Sequence, residues 1–198
     1  MNKFLIRFFD IVFSLFGLII LFLFIIIFSI LILLDSRGGI LYRQLRVGKD
    51  TKIFPLYKFR TMKTGAEKSG LITVGKNDTR ITRFGHFLRR YKLDELPQLI
   101  NVLKGDMSLV GPRPEVKKYV DLYTTEQMKV LSVKPGVTDW ASIVFVNENE
   151  QLGKSENPDK LYVEEIMPAK LKLNMRFIER PTIGNYFLII FKTLGKII

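Results

Sequence analysis

The first pattern in the chain is an unbroken apolar run. Ile11 to Leu34 carries no charge, and only Ser14, Gly17 and Ser29 interrupt it. About 20 such residues cross the hydrocarbon core as a helix. A cleavable leader is disfavoured, because the run is too long and no small-residue cleavage site follows. The segment is therefore expected to insert in a membrane. Basic residues after it far outnumber Lys3 and Arg7, which places the body of the chain in the cytoplasm. A spanning helix would leave the N-terminus outside. A re-entrant one would keep both ends inside, and Lys3 and Arg7 favour that form.

The pattern then changes period. Ile40 to Arg46 and Lys52 to Met62 read as two strands joined across Gly48-Lys49-Asp50. Thr64 to Thr79, rich in Gly, Lys, Ser and Asn, reads as a loop. Ile81, Phe84, Phe87 and Leu88 stand at helical spacing among Arg80, Arg83, Arg89 and Arg90. A second helix begins near Leu93 to Pro97 and stops at Gly105. Thr124 to Gln127 resembles a capping box. Asn157-Pro158 opens another helix, running to about Ile178 with a kink at Pro168. Asn185 to Ile198 is apolar, with Lys192 and Lys196 on one helical face. It suits either the membrane interface or the protein's own core. The expected class is α+β and mostly helical: a membrane-inserted helix (re-entrant or spanning), a small β-hairpin and amphipathic interfacial helices. Residues 1–36 form the inserted part, and residues 37–198 a cytoplasmic catalytic domain.

Charge and composition narrow the chemistry. The 198 residues carry a net charge of +12, which calls for an anionic partner: nucleic acid, a phosphorylated substrate or anionic lipid. Cysteine is absent, so disulfides, thiolate metal sites and thiol nucleophiles are excluded. His86 is the single histidine, and nothing assigns it a role. A metal must sit mainly on oxygen, favouring Mg²⁺. Trp140 reads as a membrane-interface anchor or a core residue, and the core reading is preferred.

Asp94 and Glu95 open a helix just after a cluster of arginines. The helix dipole, Arg89 and Arg90 favour the ionised forms. An ionised Asp can be a nucleophile and an ionised Glu can hold Mg²⁺. Acidic residues are also common in first helical turns for dipole reasons alone. In Gly111-Pro112-Arg113-Pro114, two prolines fix the backbone on both sides of one arginine. A guanidinium held so suits bidentate binding of phosphate, although a rigid solvated loop would look the same.

Taken together, these segments resemble the bacterial sugar transferase family. Those residues are Arg80 to Gly85, Leu93 to Leu99 and Asn101 to Pro114, with Tyr57 to Met62 and Lys134 to Thr138. Its small monotopic members are phosphoglycosyl transferases. With one apolar segment after Met1, the chain resembles the minimal form. The resemblance implies transfer of a sugar-1-phosphate from a nucleotide diphosphate sugar, usually a UDP-sugar, to polyprenyl (undecaprenyl) phosphate. That is the first membrane step of glycan or exopolysaccharide assembly, at the cytoplasmic face of the bacterial inner membrane. Asp94 would attack phosphorus and form an aspartyl-phosphosugar, which the lipid phosphate then displaces. Glu95 would hold Mg²⁺ with Asp94. Arg89, Arg113, Lys58 and Arg60 would bind substrate, together with Pro112 and Pro114 on either side of Arg113. Membrane lipid is an expected partner, and nucleic acid is not.

Two alternatives use the same residues. A membrane-bound nucleotide-sugar phosphohydrolase would release nucleotide with water alone. A non-enzymatic basic membrane adaptor would tolerate loss of Asp94. The chain also departs from the family pattern. Members carry a Ser-Pro pair that breaks the first helix, where this chain has Leu21 to Phe24 and no proline before Pro55. Asp139-Trp140-Ala141-Ser142 replaces a Gly-Trp-Ala-Gln pattern, and Val146 an arginine, in a region expected to recognise sugar or nucleotide.

Overall fold

A computed structural model describes residues 3–66, 78–179 and 181–197. Most of the expected loop from Thr64 to Thr79 lies outside them.

The apolar run forms two helices, α1 (Lys3–Ile20) and α2 (Phe22–Asp35), bent by 62° at Leu21. No single described helix is long and apolar enough to cross a membrane, whereas the bent pair together is. Sharp kinks usually need proline or a local insertion. Here each half is held by a different part of the molecule. On α1, Arg7 donates to the carbonyls of Val102 (2.5 Å) and Leu103 (2.7 Å). One oxygen of buried Asp10 accepts from Ser108 Oγ (3.0 Å), Leu109 N (2.9 Å) and Tyr186 Oη (2.8 Å). Gly17 lets Leu99 approach, since a Cβ there would lie 3.2 Å from its methyl. At the end of α2, Asp35 accepts from the amide of Phe84 at 2.9 Å.

Arg60 closes the other side. Its guanidinium donates to Gly39 O (2.5 Å), Ser36 Oγ (2.6 Å), Ser36 O (2.8 Å), Arg37 O (3.0 Å) and Ile32 O (3.3 Å). A helix leaves its last carbonyls without intrahelical partners; Arg60 binds that of Ile32 and three carbonyls just beyond the helix, those of Ser36, Arg37 and Gly39.

The hairpin is as expected: β1 (Leu41–Val47) and β2 (Ile53–Phe59) pair antiparallel, Leu41 opposite Phe59. Asp50 and Thr51 take positive φ in the turn. The basic amphipathic helix is α3 (Arg83–Arg90), with the Thr82 side chain accepting from Gly85 N. A 3₁₀ turn (Leu93–Glu95) leads into α4 (Gln98–Lys104), which ends at Gly105 with φ 90°. A second sheet was not foreseen: β3 (Ser108–Val110) pairs parallel with β4 (Gly136–Thr138).

The remainder is helical: α5 (Lys117–Val120), a 3₁₀ segment (Gln127–Ser132), α6 (Trp140–Val144) and α7 (Glu148–Gly153). The capping box before the 3₁₀ segment is reciprocal, Thr124 N to Gln127 Oε1 (2.9 Å) and Gln127 N to Thr124 Oγ1 (3.3 Å). Asn157 caps α8 (Pro158–Leu161), accepting from Lys160 N. A π-turn (Tyr162–Ile166) then precedes α9 (Met167–Glu179). The irregularity expected at Pro168 thus sits one turn earlier, where the proline's missing N–H would leave a carbonyl unbonded.

The last helix, α10 (Ile183–Ile197), packs one face on the protein's own core and leaves another apolar face exposed. Tyr186 and Ile189 are fully buried beside Ile6 and Phe177, while Leu188, Phe191 and Leu194 are exposed. Trp140 is half-buried against the same cluster, with Lys192 5.2 Å above its ring.

Candidate active site

Helix α3 runs out at Tyr91, and Lys92 turns the chain with φ 56°. A left-handed backbone is uncommon outside glycine. It starts the 3₁₀ turn whose apolar members, Leu93 and Leu96, pack against the cluster of Ile32, Phe59 and Leu88. Asp94 and Glu95 between them line the opposite side, a cleft of about 540 Å³. That is the size range of small-molecule sites.

The two carboxylates have opposite surroundings. Glu95 is clamped. Arg113 Nη1 donates to its Oε2 at 3.1 Å, Arg113 Nη2 donates to its Oε1, and Lys58 Nζ from β2 reaches Oε1 at 2.9 Å. Burial alone would raise the Glu95 carboxyl, but the two cations outweigh it and hold it well below the usual range. Asp94 is also buried, yet its carboxylate accepts no hydrogen bond from the described residues. Burial, with the Glu95 charge beside it, raises Asp94 above the ordinary carboxylate value against the pull of Lys58, Arg89 and Lys92. This corrects the expectation that dipole and arginines favour both ionised forms: for Asp94, desolvation is larger.

Burial lowers Lys58, and Glu95 raises Arg113. Arg89 lines the same cleft, its Nε donating to Thr61 Oγ1 at 2.8 Å. Lys58, Arg89, Lys92 and Arg113 therefore face two carboxylates across one cleft, leaving it cationic.

The Pro-Arg-Pro segment is held from behind. Gly111 N donates to Thr138 O (3.0 Å), and Gly136 N to Pro112 O (2.9 Å). At this crossing the backbones touch: a Cβ on Gly136 would overlap Gly111, and one on Gly111 would overlap Lys134 O. Only glycine fits on either side. Arg113 N donates to Asp139 Oδ2 (3.1 Å), and Asp139 Oδ1 caps α6 through Ser142 N (2.6 Å).

Thus Asp94, Glu95, Lys58, Arg89 and Arg113 converge. Pro112 and Pro114 shape the loop without lining the cleft. Arg60 borders the cleft, but its donors are committed to the end of α2, so geometry gives it a structural role in place of the expected phosphate contact. Asp139 lies in the stretch expected to recognise sugar or nucleotide, and Glu148 in its polar continuation, Asn147 to Glu150. Glu115, Tyr162 and Lys170 join the cleft with no local signal in the sequence.

No group of three His, Cys, Asp or Glu side chains is assembled among the described residues. Mg²⁺ often takes only one or two carboxylates, completing its shell with phosphate oxygens and water. Asp94 fits such a role; both Glu95 oxygens are engaged by Arg113 and Lys58, so a share in the ion would need them to bind it beside those cations.

Comparison with known proteins shows the family. The model of the family described as bacterial sugar transferase matches residues 1–198. A UDP-N-acetylgalactosamine-undecaprenyl-phosphate N-acetylgalactosaminephosphotransferase of Aeromonas hydrophila is 36% identical over 173 residues, covering 86% of this chain and 38% of that protein. A UDP-glucose:undecaprenyl-phosphate glucose-1-phosphate transferase of Escherichia coli (strain K12) is 36% identical over 166 residues, covering 82% and 33%. An exopolysaccharide production protein of Rhizobium leguminosarum bv. phaseoli is 52% identical over 108 residues, covering 54% of each chain. The chain thus spans between a third and about half the length of these relatives. With the family's pattern matched end to end and its motif residues gathered around one cationic cleft, the chain belongs to the bacterial sugar transferase family.

Proposed function

We propose that this protein transfers a sugar-1-phosphate from a UDP-sugar to a polyprenyl phosphate through a covalent intermediate on Asp94. The observation that carries this reading is the contrast at the dyad: a buried carboxylate without hydrogen bonds beside one locked to Arg113 and Lys58. A desolvated carboxylate is a strong nucleophile once ionised. The names of the relatives supply the substrate classes.

In the first step an Asp94 oxygen attacks the sugar-bearing phosphorus. The bond from that phosphorus to the bridging oxygen breaks, and UMP leaves. In the second step an oxygen of polyprenyl phosphate attacks the same phosphorus and releases Asp94. Phosphoryl transfer of this kind depends on positioning and charge neutralisation. Arg113, Lys58 and Arg89 supply both from fixed positions. Asp94 would hold Mg²⁺ together with substrate phosphates, and the ion would neutralise further charge there.

The acceptor is a lipid, so the cleft must open near a bilayer. The outer faces of α1 and α2 are apolar and exposed, Phe16 by 61% and Leu34 by 79%. The bent pair would dip into the cytoplasmic leaflet of the inner membrane and return, with the exposed side of α10 lying on the surface. Exposing such a face to water is unfavourable by about 25 cal/mol per Å².

The decisive test is UMP release by the purified chain with UDP-sugars, with and without undecaprenyl phosphate. Release that depends on the lipid, with a phosphosugar trapped on Asp94 by mass spectrometry, is expected. Equal release with water alone would overturn the transferase reading.

A further inference from the structure

The cleft is not uniform in charge. Lys58, Arg89, Lys92 and Arg113 make one part of it cationic, as described. Elsewhere in its lining the charges cancel in pairs. Arg46 Nη1 lies 2.9 Å from Glu115 Oε1, and Tyr162 Oη donates to Glu115 Oε2. Lys170 Nζ, on α9, donates to Glu148 Oε2, on α7, at 2.8 Å. The same Nζ lies 5.5 Å above the Tyr162 ring. All these groups line the cleft.

The Lys170–Glu148 pair is mostly withdrawn from water, its side chains 13% and 24% exposed. An enclosed ion pair contributes little stability, because desolvation offsets its attraction. It does offer unused bonding capacity. Lys170 has three N–H donors and uses one among the described residues; Glu148 Oε1 accepts none there.

A neutral lining with free donors and acceptors does not select for phosphate, which the cationic part attracts. It suits an uncharged ring bearing hydroxyl or acetamido groups. A flat nucleobase would want an open aromatic face; Tyr162 is covered by Lys170 and Tyr119 by Lys118, which leaves Tyr42 and Phe145 as rings for it to stack on. Glu148 and Lys170 line the same cleft as Asp94 and Arg113. The sugar, joined to the attacked phosphorus through a single oxygen, must lie in that cleft as well.

We propose that Lys170 and Glu148 read the hydroxyl and acetamido pattern of the donor sugar and so set which sugar is transferred. This rests on the transferase reading above.

The test uses the full chain with undecaprenyl phosphate and UDP-glucose, UDP-galactose, UDP-N-acetylglucosamine and UDP-N-acetylgalactosamine, scoring UMP. Lys170→Met and Glu148→Gln are each expected to shrink the kcat/KM ratio between the best sugar and its C4 epimer by about tenfold, the scale of one lost polar contact. Inhibition by UMP should stay within about twofold. Equal losses on every sugar with the ratio unchanged would overturn the proposal, as would weakened UMP inhibition in parallel. If Lys170→Met does not fold, Lys170→Arg keeps the charge and moves the donors. A ratio unchanged in Lys170→Arg would also overturn it. No UMP from any sugar with the unaltered protein would instead strike the transferase reading, and this proposal with it.

Discussion

Arg113 grips both oxygens of Glu95, while the carboxylate of Asp94, one residue earlier, accepts no hydrogen bond from the described residues. One pair is therefore stabilising and its neighbour is not. Glu95→Gln removes the negative charge to which Lys58 and Arg113 are both hydrogen-bonded. Loss of a buried partner costs about 3–5 kcal/mol, so a clearly lower Tm is expected. Asp94→Asn removes a carboxylate that burial disfavours when ionised. Its Tm at pH 7–8 is expected to rise even as UMP release is lost. Thermal melts of the two variants beside the unaltered chain check both signs.

The same contrast sets a pH dependence. Asp94 must be ionised to attack, and its carboxyl is raised above the usual value. The transfer rate should therefore fall at higher pH than for an ordinary aspartate as the solution is acidified. Folding runs the other way for this group. A carboxyl raised in the folded state disfavours folding above its unfolded pKa, and that penalty is relieved as pH drops through the folded pKa. Glu95, held low, contributes stability above its unfolded pKa and loses it as pH falls through its folded pKa. Single-turnover rates and melts from pH 4 to 8 check the separation of activity from stability.

Gly136→Ala is expected to be poorly tolerated although it adds one methyl. The new Cβ would overlap the Gly111 backbone, which cannot swing aside like a side chain. The cost should reach the upper end of overpacking penalties, about 3 kcal/mol. Gly195→Ala, which meets nothing within 4 Å, is the control. Expression yield and chemical denaturation distinguish them.

Arg60→Lys is expected to loosen the end of α2. An ammonium cannot reproduce a planar fork that reaches Gly39, Ser36, Arg37 and Ile32 together. A loss of about 2 kcal/mol is expected, on the scale of charged hydrogen bonds left unmade. Hydrogen exchange at residues 32–37 should rise first.

Local signals were legible in the sequence and distant ones were not. The hairpin, the Thr124 capping box, the Asn157 cap and the stop at Gly105 each depend on a few neighbouring residues. The β3–β4 pair has no such signal: each strand has three residues, and its partner lies on the far side of α5. A basic residue reveals little of its partner: Arg7 and Arg60 both donate to backbone carbonyls at or just beyond a helix end. Asp94 and Glu95 were found by their motif, but the division between them came from Lys58 and Arg113, brought in from other elements.

The bond network of α1 and α2 has a practical consequence. Arg7 serves α4, Asp10 serves β3 and α10, Asp35 serves α3, and Ile6 and Ile32 fill two apolar clusters. Trimming the chain to residues 37–198 to obtain a detergent-free enzyme would expose those clusters and leave Tyr186, Ser108 and the amides of Leu109 and Phe84 without their acceptors. The shortened protein should aggregate instead of folding. Solubility will have to come from repainting the exposed side chains of both helices with polar ones, leaving Arg7, Asp10 and Asp35 in place.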